Sequence, residues 1–84
     1  MFEYDESKSK ANKEKHGIDF EEAQALWQNK KHSVFHSVYV NNEWRHLLVG
    51  YINTLCYVAV FTMREDNIRI ISVRRCRNNE KELL

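Results

Sequence analysis

The sequence predicts an α+β fold, and three observations carry that prediction. Helical spacing with recognisable caps occupies the N-terminal third, whereas apolar and polar residues alternate from residue 33 onward. Four β-rich runs, SVFHSVYV, WRHLLVGYI, LCYVAVFTM and NIRIISVRRC, are joined only by NNE, NT and RED. Connections this short and polar fit antiparallel hairpins, so a four-stranded meander is the simplest topology. There is no Pro and there are only two Gly, which leaves little sequence for long loops.

Each element has a local reason. Phe2 and Tyr4 alternate with Glu3 and Asp5, which predicts a short N-terminal strand, and Asp5 then caps a helix running through His16 with Gly17 at the C′ position. That helix is polar nearly all round. Lys8, Lys10, Lys13, Lys15 and His16 leave only Ala11 to bury, worth about 1 kcal/mol or less of apolar surface. The helix therefore needs another anchor, and Asn12 is the residue placed to give it hydrogen bonds. A second helix comes next, with Asp19 as N-cap, Glu22 three residues on as the other half of a capping box, and Ile18 stapling onto Ala23. Phe20, Ala23, Leu26 and Trp27 form its core stripe. The tail RNNEKELL reads as a C-terminal helix of at most two turns, with Asn78 or Asn79 near its start.

Composition bounds the organisation. With 84 residues, 43% hydrophobic and 30% charged, residues 1–84 make a single domain with one modest core. No run is long and apolar enough to span a bilayer, and the start MFEYDESKSK has no apolar segment behind a basic end, so no membrane role and a cytoplasmic location are expected. Cys56 and Cys76 are isolated, without C-x-x-C spacing, which points to packing in a reducing compartment. Net charge is only +1, yet residues 8–16 hold four Lys against one Glu, and residues 69–77 hold four Arg and no acid. Two local basic surfaces on a nearly neutral chain suit phosphate contact, although charge runs are commonly solvated faces and nothing more.

Turn chemistry fixes an expected register. A loop at Asn53 and Thr54 sets Ile52 against Leu55, Leu48 against Ala59 and His46 against Phe61. A loop at Glu65 and Asp66 sets Phe61 against Ile70, Ala59 against Ser72 and Tyr57 against Arg74. Closing the first hairpin with Asn41 to Glu43 sets Val38 beside His46 and His36 beside Leu48. By alternation, Phe35, Leu47, Val49, Val58, Val60, Ile71 and Val73 form the face that seats the helices. Trp44, His46, His36, Tyr57, Phe61, Ser72 and Arg74 form the other, whose rings, imidazoles and guanidinium suit RNA bases and phosphates.

The chemistry available is narrow. His32 and His36 are four residues apart along a strand, about 13 Å, too far for one ion, so no metal and no cofactor are expected. There is no nucleophile motif, Gly-rich phosphate loop or apolar carboxylate pair. What remains is acid–base work by His with charge stabilisation by Arg, which is enough for RNA cleavage: a base for the 2′-hydroxyl, a cation for the phosphorane and an acid for the departing oxygen. His46 or His36 is the proton-transfer candidate and Arg74, Arg75 and Arg64 are the clamp candidates. A structural role for each His remains open.

The stretch FEYDESKSKANKEKHGIDFEEAQALW resembles the N-terminal signature of the BrnT toxin family. The matching positions are Phe2, Glu3, Asp5, Lys8, Asn12, Lys15, His16, Gly17, Phe20, Glu21 and Ala23. IRIISVRRC, with Glu80 just beyond, is similar to the family's second block. The resemblance implies a RelE-like ribonuclease toxin of a type II toxin-antitoxin pair, which cuts RNA, inhibits translation and is neutralised by a BrnA-like antitoxin. It also implies that operator DNA is bound only through the antitoxin. It supports Lys8, Asn12, Lys15 and His16 in the first block, Arg69, Arg74 and Arg75 in the second, and Arg45 and Arg64 between them. The expected site thus combines catalytic His46, Arg74, Arg75 and Arg64 with RNA contacts from Lys8, Lys15, His36, Arg45, Tyr57 and Arg69. Beyond Glu80 many relatives continue into a longer helix, where this sequence ends KELL. The competing expectations are a noncatalytic nucleic-acid or protein binding module, and a structural subunit with solvated basic surfaces.

Overall fold

A computed structural model describes residues 1–29 and 31–84; the Phe35 side chain, expected on the helix face, lies outside the described residues. The chain runs β1 (Phe2–Glu3), α1 (Glu6–His16), a 3-10 turn (Glu22–Gln24), α2 (Ala25–Gln28), β2 (His32–Val40), β3 (Glu43–Ile52), β4 (Leu55–Arg64), β5 (Asn67–Arg75) and α3 (Asn78–Lys81). The strands form one mixed sheet in the order β1-β5-β4-β3-β2. The meander β2 to β5 is antiparallel throughout, and β1 joins the far edge parallel to β5, pairing Phe2 with Ile68 and Glu3 with Arg69.

The central hairpin has the expected register, Ile52 opposite Leu55 and His46 opposite Phe61. The other two differ by one residue, for identifiable reasons. Asn41 and Asn42 both adopt positive φ, 50° and 65°, so they alone make a two-residue turn and Glu43 is already in the strand opposite Val40. His36 therefore lies beside Leu47, and Ser37 beside His46. In the last hairpin a bulge at Val60/Phe61 gives β5 one extra residue, so Ala59 faces Val73 and Tyr57 faces Arg75. In the central hairpin the register is right but the faces are reversed: Leu48, Ala59, Tyr57 and Phe61 seat the helices, while Leu47, Val49, Val58 and Val60, expected there, face outward. In the flanking strands the slip of one residue exchanges faces again.

The helix-side face carries Leu48, Tyr57, Ala59, Phe61, Ile70 and Val73, packed with Ile18, Phe20, Ala23 and Leu26 in one buried cluster. Rings extend that core edge to face, Phe2 on Trp27 at 5.1 Å and Trp27 on Phe61 at 5.3 Å. The outer face carries Val49, Val58 and Cys56 as a smaller buried cluster at the end where the chain leaves β5 for α3. Gly50 permits the close seat of α2: a Cβ there would stand 3.3 Å from Leu26 and 3.2 Å from His32.

The polar helix α1 is held by polar groups. Ala11 is exposed, while Ser9 and Asn12 are buried. Ser9 Oγ accepts from the Phe20 N–H at 2.9 Å, and Asn12 Nδ2 donates to the Ile18 and Val73 carbonyls at 2.8 and 2.9 Å. The helix starts at the Asp5 cap and stops at Gly17, whose φ of 78° is the left-handed cap conformation. Lys13 is tied to Glu22 at 2.8 Å, a bond that lowers the Glu22 carboxyl and raises the lysine. The Asp19–Glu22 capping box is present in both directions, at 2.8 and 3.0 Å. In place of the single helix expected after it, the chain makes a 3-10 turn and one turn of α-helix. Phe20, Ala23 and Leu26 recur every third residue, the 3-10 period, so tight winding puts all three into the core.

The two cysteines are also a correction. The extra residue in β5 brings Cys76 opposite Cys56, with a 2.9 Å backbone hydrogen bond between them, and their sulfurs are joined as a disulfide on the outer face. They are paired, not isolated. The disulfide removes the ground for expecting a reducing compartment from isolated cysteines.

Candidate nucleic-acid interface

On the outer face of the sheet, alternation and the observed register place Arg45, Arg64, Arg69 and Arg74, with His36 on the β2 edge. Continuing the β3–β4 pairing from His46–Phe61 sets Arg45 beside Thr62, and Thr62 pairs in turn with Arg69. Arg69, Thr62, Arg45 and Val38 thus form one row across four strands, bordered by Arg64 and Glu43 on one side and by Val60, Leu47 and His36 on the other.

The arginines differ in how much of their charge is already engaged. Arg74 is gripped by Glu80, whose two oxygens accept from Nη1 and Nη2 at 2.8 and 2.7 Å. Glu80 is buried at 6% exposure, also accepts from the Arg77 N–H at 2.7 Å, and its carboxyl is lowered from 4.5 to about 2 chiefly by the Arg74 hydrogen bonds. That fork holds α3 against the sheet. Arg45 is in a different state. Its Nε is buried without a hydrogen-bond acceptor among the described residues, the Glu43 carboxylate lying 3.6 Å away. The Nε thus has an ion-pair partner in Glu43 but no hydrogen bond, and a buried donor left without one costs about 1–3 kcal/mol.

The remaining expected site residues lie elsewhere. His46 is on the helix-side face, its ring 5.2 Å from Phe61 and its Nδ1 2.7 Å from Ser37 Oγ. Tyr57 is buried on that same face, and Arg75 stands over its ring at 5.8 Å. Four residues of β3 separate the His46 row from the Gly50 row that leads through Tyr57 to Arg75, about 13 Å along the strand. Lys8 and Lys15 are exposed on α1. The structure therefore brings together Arg45, Arg64 and Arg69 with His36 at their border, places Arg74 on the same face but about 13 Å along β4 from the Arg69 row, and leaves His46, Arg75, Tyr57, Lys8 and Lys15 apart from them. Among the described residues no cluster of His, Cys, Asp or Glu is arranged to hold a metal ion.

Two residues of this face, Glu43 and Thr62, escape sequence reading. Glu43 falls in the loop on the sequence pattern; two consecutive asparagines, both tolerant of positive φ, are the signal for a shorter turn that returns it to the strand. Thr62, 2% exposed, donates its hydroxyl to the Trp44 carbonyl at 2.6 Å and so braces the row of arginines where β3 and β4 meet.

Fold and face together define a small α+β protein with α1 and α2 on one side of a mixed sheet and arginines concentrated on the other, a surface suited to phosphate. Residues 4–80 match the family model described as "Ribonuclease toxin, BrnT, of type II toxin-antitoxin system", and the chain belongs to that family. A search of curated proteins finds no significant match. Among the described residues no helix is long and apolar enough to cross a membrane.

Proposed function

We propose that this protein is a RelE-like endoribonuclease toxin that cuts RNA on the arginine-bearing outer face of its sheet. The observation that carries the reading is Arg45: a guanidinium whose buried Nε has no hydrogen bond, only the Glu43 carboxylate at 3.6 Å, in a row with Arg69 and next to Arg64, in a chain of a ribonuclease toxin family. Three cations at neighbouring positions give a polyanion several contacts at once, and phosphate supplies the hydrogen bond that Nε lacks.

The chemistry needs no resident metal. A base removes the 2′-hydroxyl proton, the resulting alkoxide attacks the adjacent phosphorus, the P–O5′ bond breaks, and the departing 5′-oxygen takes a proton. The products are a 2′,3′-cyclic phosphate and a 5′-hydroxyl. Arg45, Arg64 and Arg69 hold the negative charge that grows on the phosphorane oxygens. His36 and Glu43 border that row on opposite sides and supply the two proton-transfer groups. Arg74, already neutralised by Glu80, holds the C-terminal turn against the sheet. Arg75, with Tyr57, belongs to the other face and its contribution is to packing. His46 is likewise separated from the arginines and takes no part in the proton transfers.

Cutting messages would inhibit translation in the cytoplasm, and a BrnA-like antitoxin would neutralise the toxin, with operator DNA bound only through that partner. The decisive experiment incubates the purified chain with a single-stranded RNA, with and without chelator, alongside Arg45→Ala and His36→Ala. Cleavage that survives chelation, is abolished in the first variant and is slowed at least tenfold in the second supports the reading. RNA that is bound but remains intact reduces the protein to a noncatalytic binding module.

A further inference from the structure

A cavity at the same end of the sheet shares Glu43 with the arginine face and is otherwise lined by residues with no role in the phosphate chemistry. Asn42, Glu43, Trp44, His46, Thr62 and Met63 line it, and its volume of about 360 Å³ is within the ~300–1,000 Å³ of small-molecule sites. Trp44 is 55% exposed and contributes nothing to the buried core, yet its backbone is pinned by the Thr62 hydroxyl. Tyr39, 57% exposed, stands beside it with ring centroids 5.3 Å apart. Two large aromatic rings left in water on adjacent strands are a stacking platform without its occupant.

His46 completes the arrangement. Ser37 Oγ engages Nδ1 at 2.7 Å and Phe61 backs the ring at 5.2 Å, so the imidazole is held in one orientation, and among the described residues Nε2 has no hydrogen bond. The cavity also adjoins the arginine face. Glu43 lines it and lies 3.6 Å from Arg45 Nε, so the cavity opens at the end of the sheet where the arginine row also ends.

We propose that this cavity takes one unstacked base of the RNA substrate, Trp44 stacking on its face and His46 Nε2 reading its edge, and so sets the sequence preference of the site. The inference rests on the ribonuclease reading for its substrate but acts through Trp44 and His46, which take no part in that chemistry. An aromatic ring recognises any base face, whereas a fixed imidazole edge distinguishes among bases by their donors and acceptors. Trp44 accordingly governs affinity and His46 governs preference, and a base already stacked in a duplex is excluded.

The test uses four fluorescein-labelled 2′-O-methyl hexanucleotides, all A, all C, all G and all U, which cannot be cut, and reads their affinity by anisotropy as a function of salt. The wild-type chain should rank the four. Trp44→Ala should weaken all of them about tenfold with the salt slope unchanged, and Trp44→Phe should restore most of the loss. His46→Ala should compress the ranking at the same salt slope, and the distribution of cut sites on a mixed-sequence RNA should broaden with it. Wild-type affinity and ranking in both variants would overturn the pocket, as would a wild-type chain that binds none of the four. If the chain binds and ranks these strands but leaves natural RNA uncut, the ribonuclease reading fails and the pocket stands. If it cuts RNA while both variants keep the wild-type affinity and cut-site distribution, the pocket fails and the ribonuclease reading stands.

Discussion

Asn12 hydrogen-bonds both backbone groups of Val73, its Nδ2 donating to the carbonyl at 2.9 Å and its Oδ1 accepting from the N–H at 3.2 Å. The reason lies in the sheet edge. β1 pairs only with Ile68 and Arg69, so the outer edge of β5 beyond them has no neighbouring strand. One side-chain amide supplies what a longer β1 would have supplied, and it fastens a helix of almost entirely polar residues to the sheet at the same time.

Truncating that amide should be costly. Asn12→Ala strands the Val73 N–H and the Val73 and Ile18 carbonyls, each worth about 1–3 kcal/mol when buried without a partner. Allowing for partial access by water, we expect a loss of about 3 kcal/mol, hence a melting temperature lower by roughly 10–20 °C in a domain of this size. Thermal unfolding followed by circular dichroism measures it. A shift of less than about 3 °C would show that the helix is held by something else.

The same amide shows where sequence reading succeeds and stops. Asp5, Gly17, the Asp19–Glu22 box and the Asn53–Thr54 turn are legible because each depends on a few neighbouring residues whose backbone preferences are strong. That Asn12 anchors α1 is legible by elimination; that its partner is Val73, 61 residues away, is not. The site is split for a similar reason. A bulge in β5 and a turn one residue shorter than expected each reverse the parity of everything beyond them, which moves Arg74 relative to Tyr57 and pairs Cys56 with Cys76. Local pattern counts residues along a strand correctly, but a bulge is fixed by packing across strands.

Glu80 makes stability depend on acid pH. Its carboxyl is lowered from 4.5 to about 2 in the folded protein, so its contribution is fully present above pH 4.5 and is lost as pH falls from there through about 2. The shift corresponds to about 3 kcal/mol. Glu80→Gln should lose that amount at neutral pH and show a flatter stability profile between pH 5 and 2 than the wild type, read by urea denaturation at each pH. Parallel profiles for the two proteins would mean that the Arg74 fork contributes nothing to folding.

The Cys56–Cys76 bond should be a stabiliser that reductant removes. It closes a loop with a sequence separation of 20, for which chain entropy lost by the unfolded state corresponds to about 3 kcal/mol. Cys56→Ser with Cys76→Ser should melt lower than the oxidised wild type and match the wild type in excess dithiothreitol. Insensitivity of the wild type to reductant, with two thiols titrating in the native protein, would contradict the bond.

Lys8 and Lys15 test what the polar helix is for once its anchorage is accounted for. Both are exposed, and neither forms an ion pair among the described residues, whereas Lys13 is bound to Glu22 at 2.8 Å. Charge reversal at Lys8 and Lys15 breaks no ion pair among the described residues, so the melting temperature should move little. Binding should suffer instead: each lysine that touches a single strand contributes about 0.7 to the slope of log affinity against log salt, and reversal both deletes that contact and adds repulsion. The double variant is compared with the wild type in RNA affinity over a salt series and in co-purification with a co-expressed antitoxin. Loss in either assay with an unchanged melting curve assigns the lysines to that partner. A collapse in melting temperature with both interactions intact would instead make them part of the scaffold that Ser9 and Asn12 already provide.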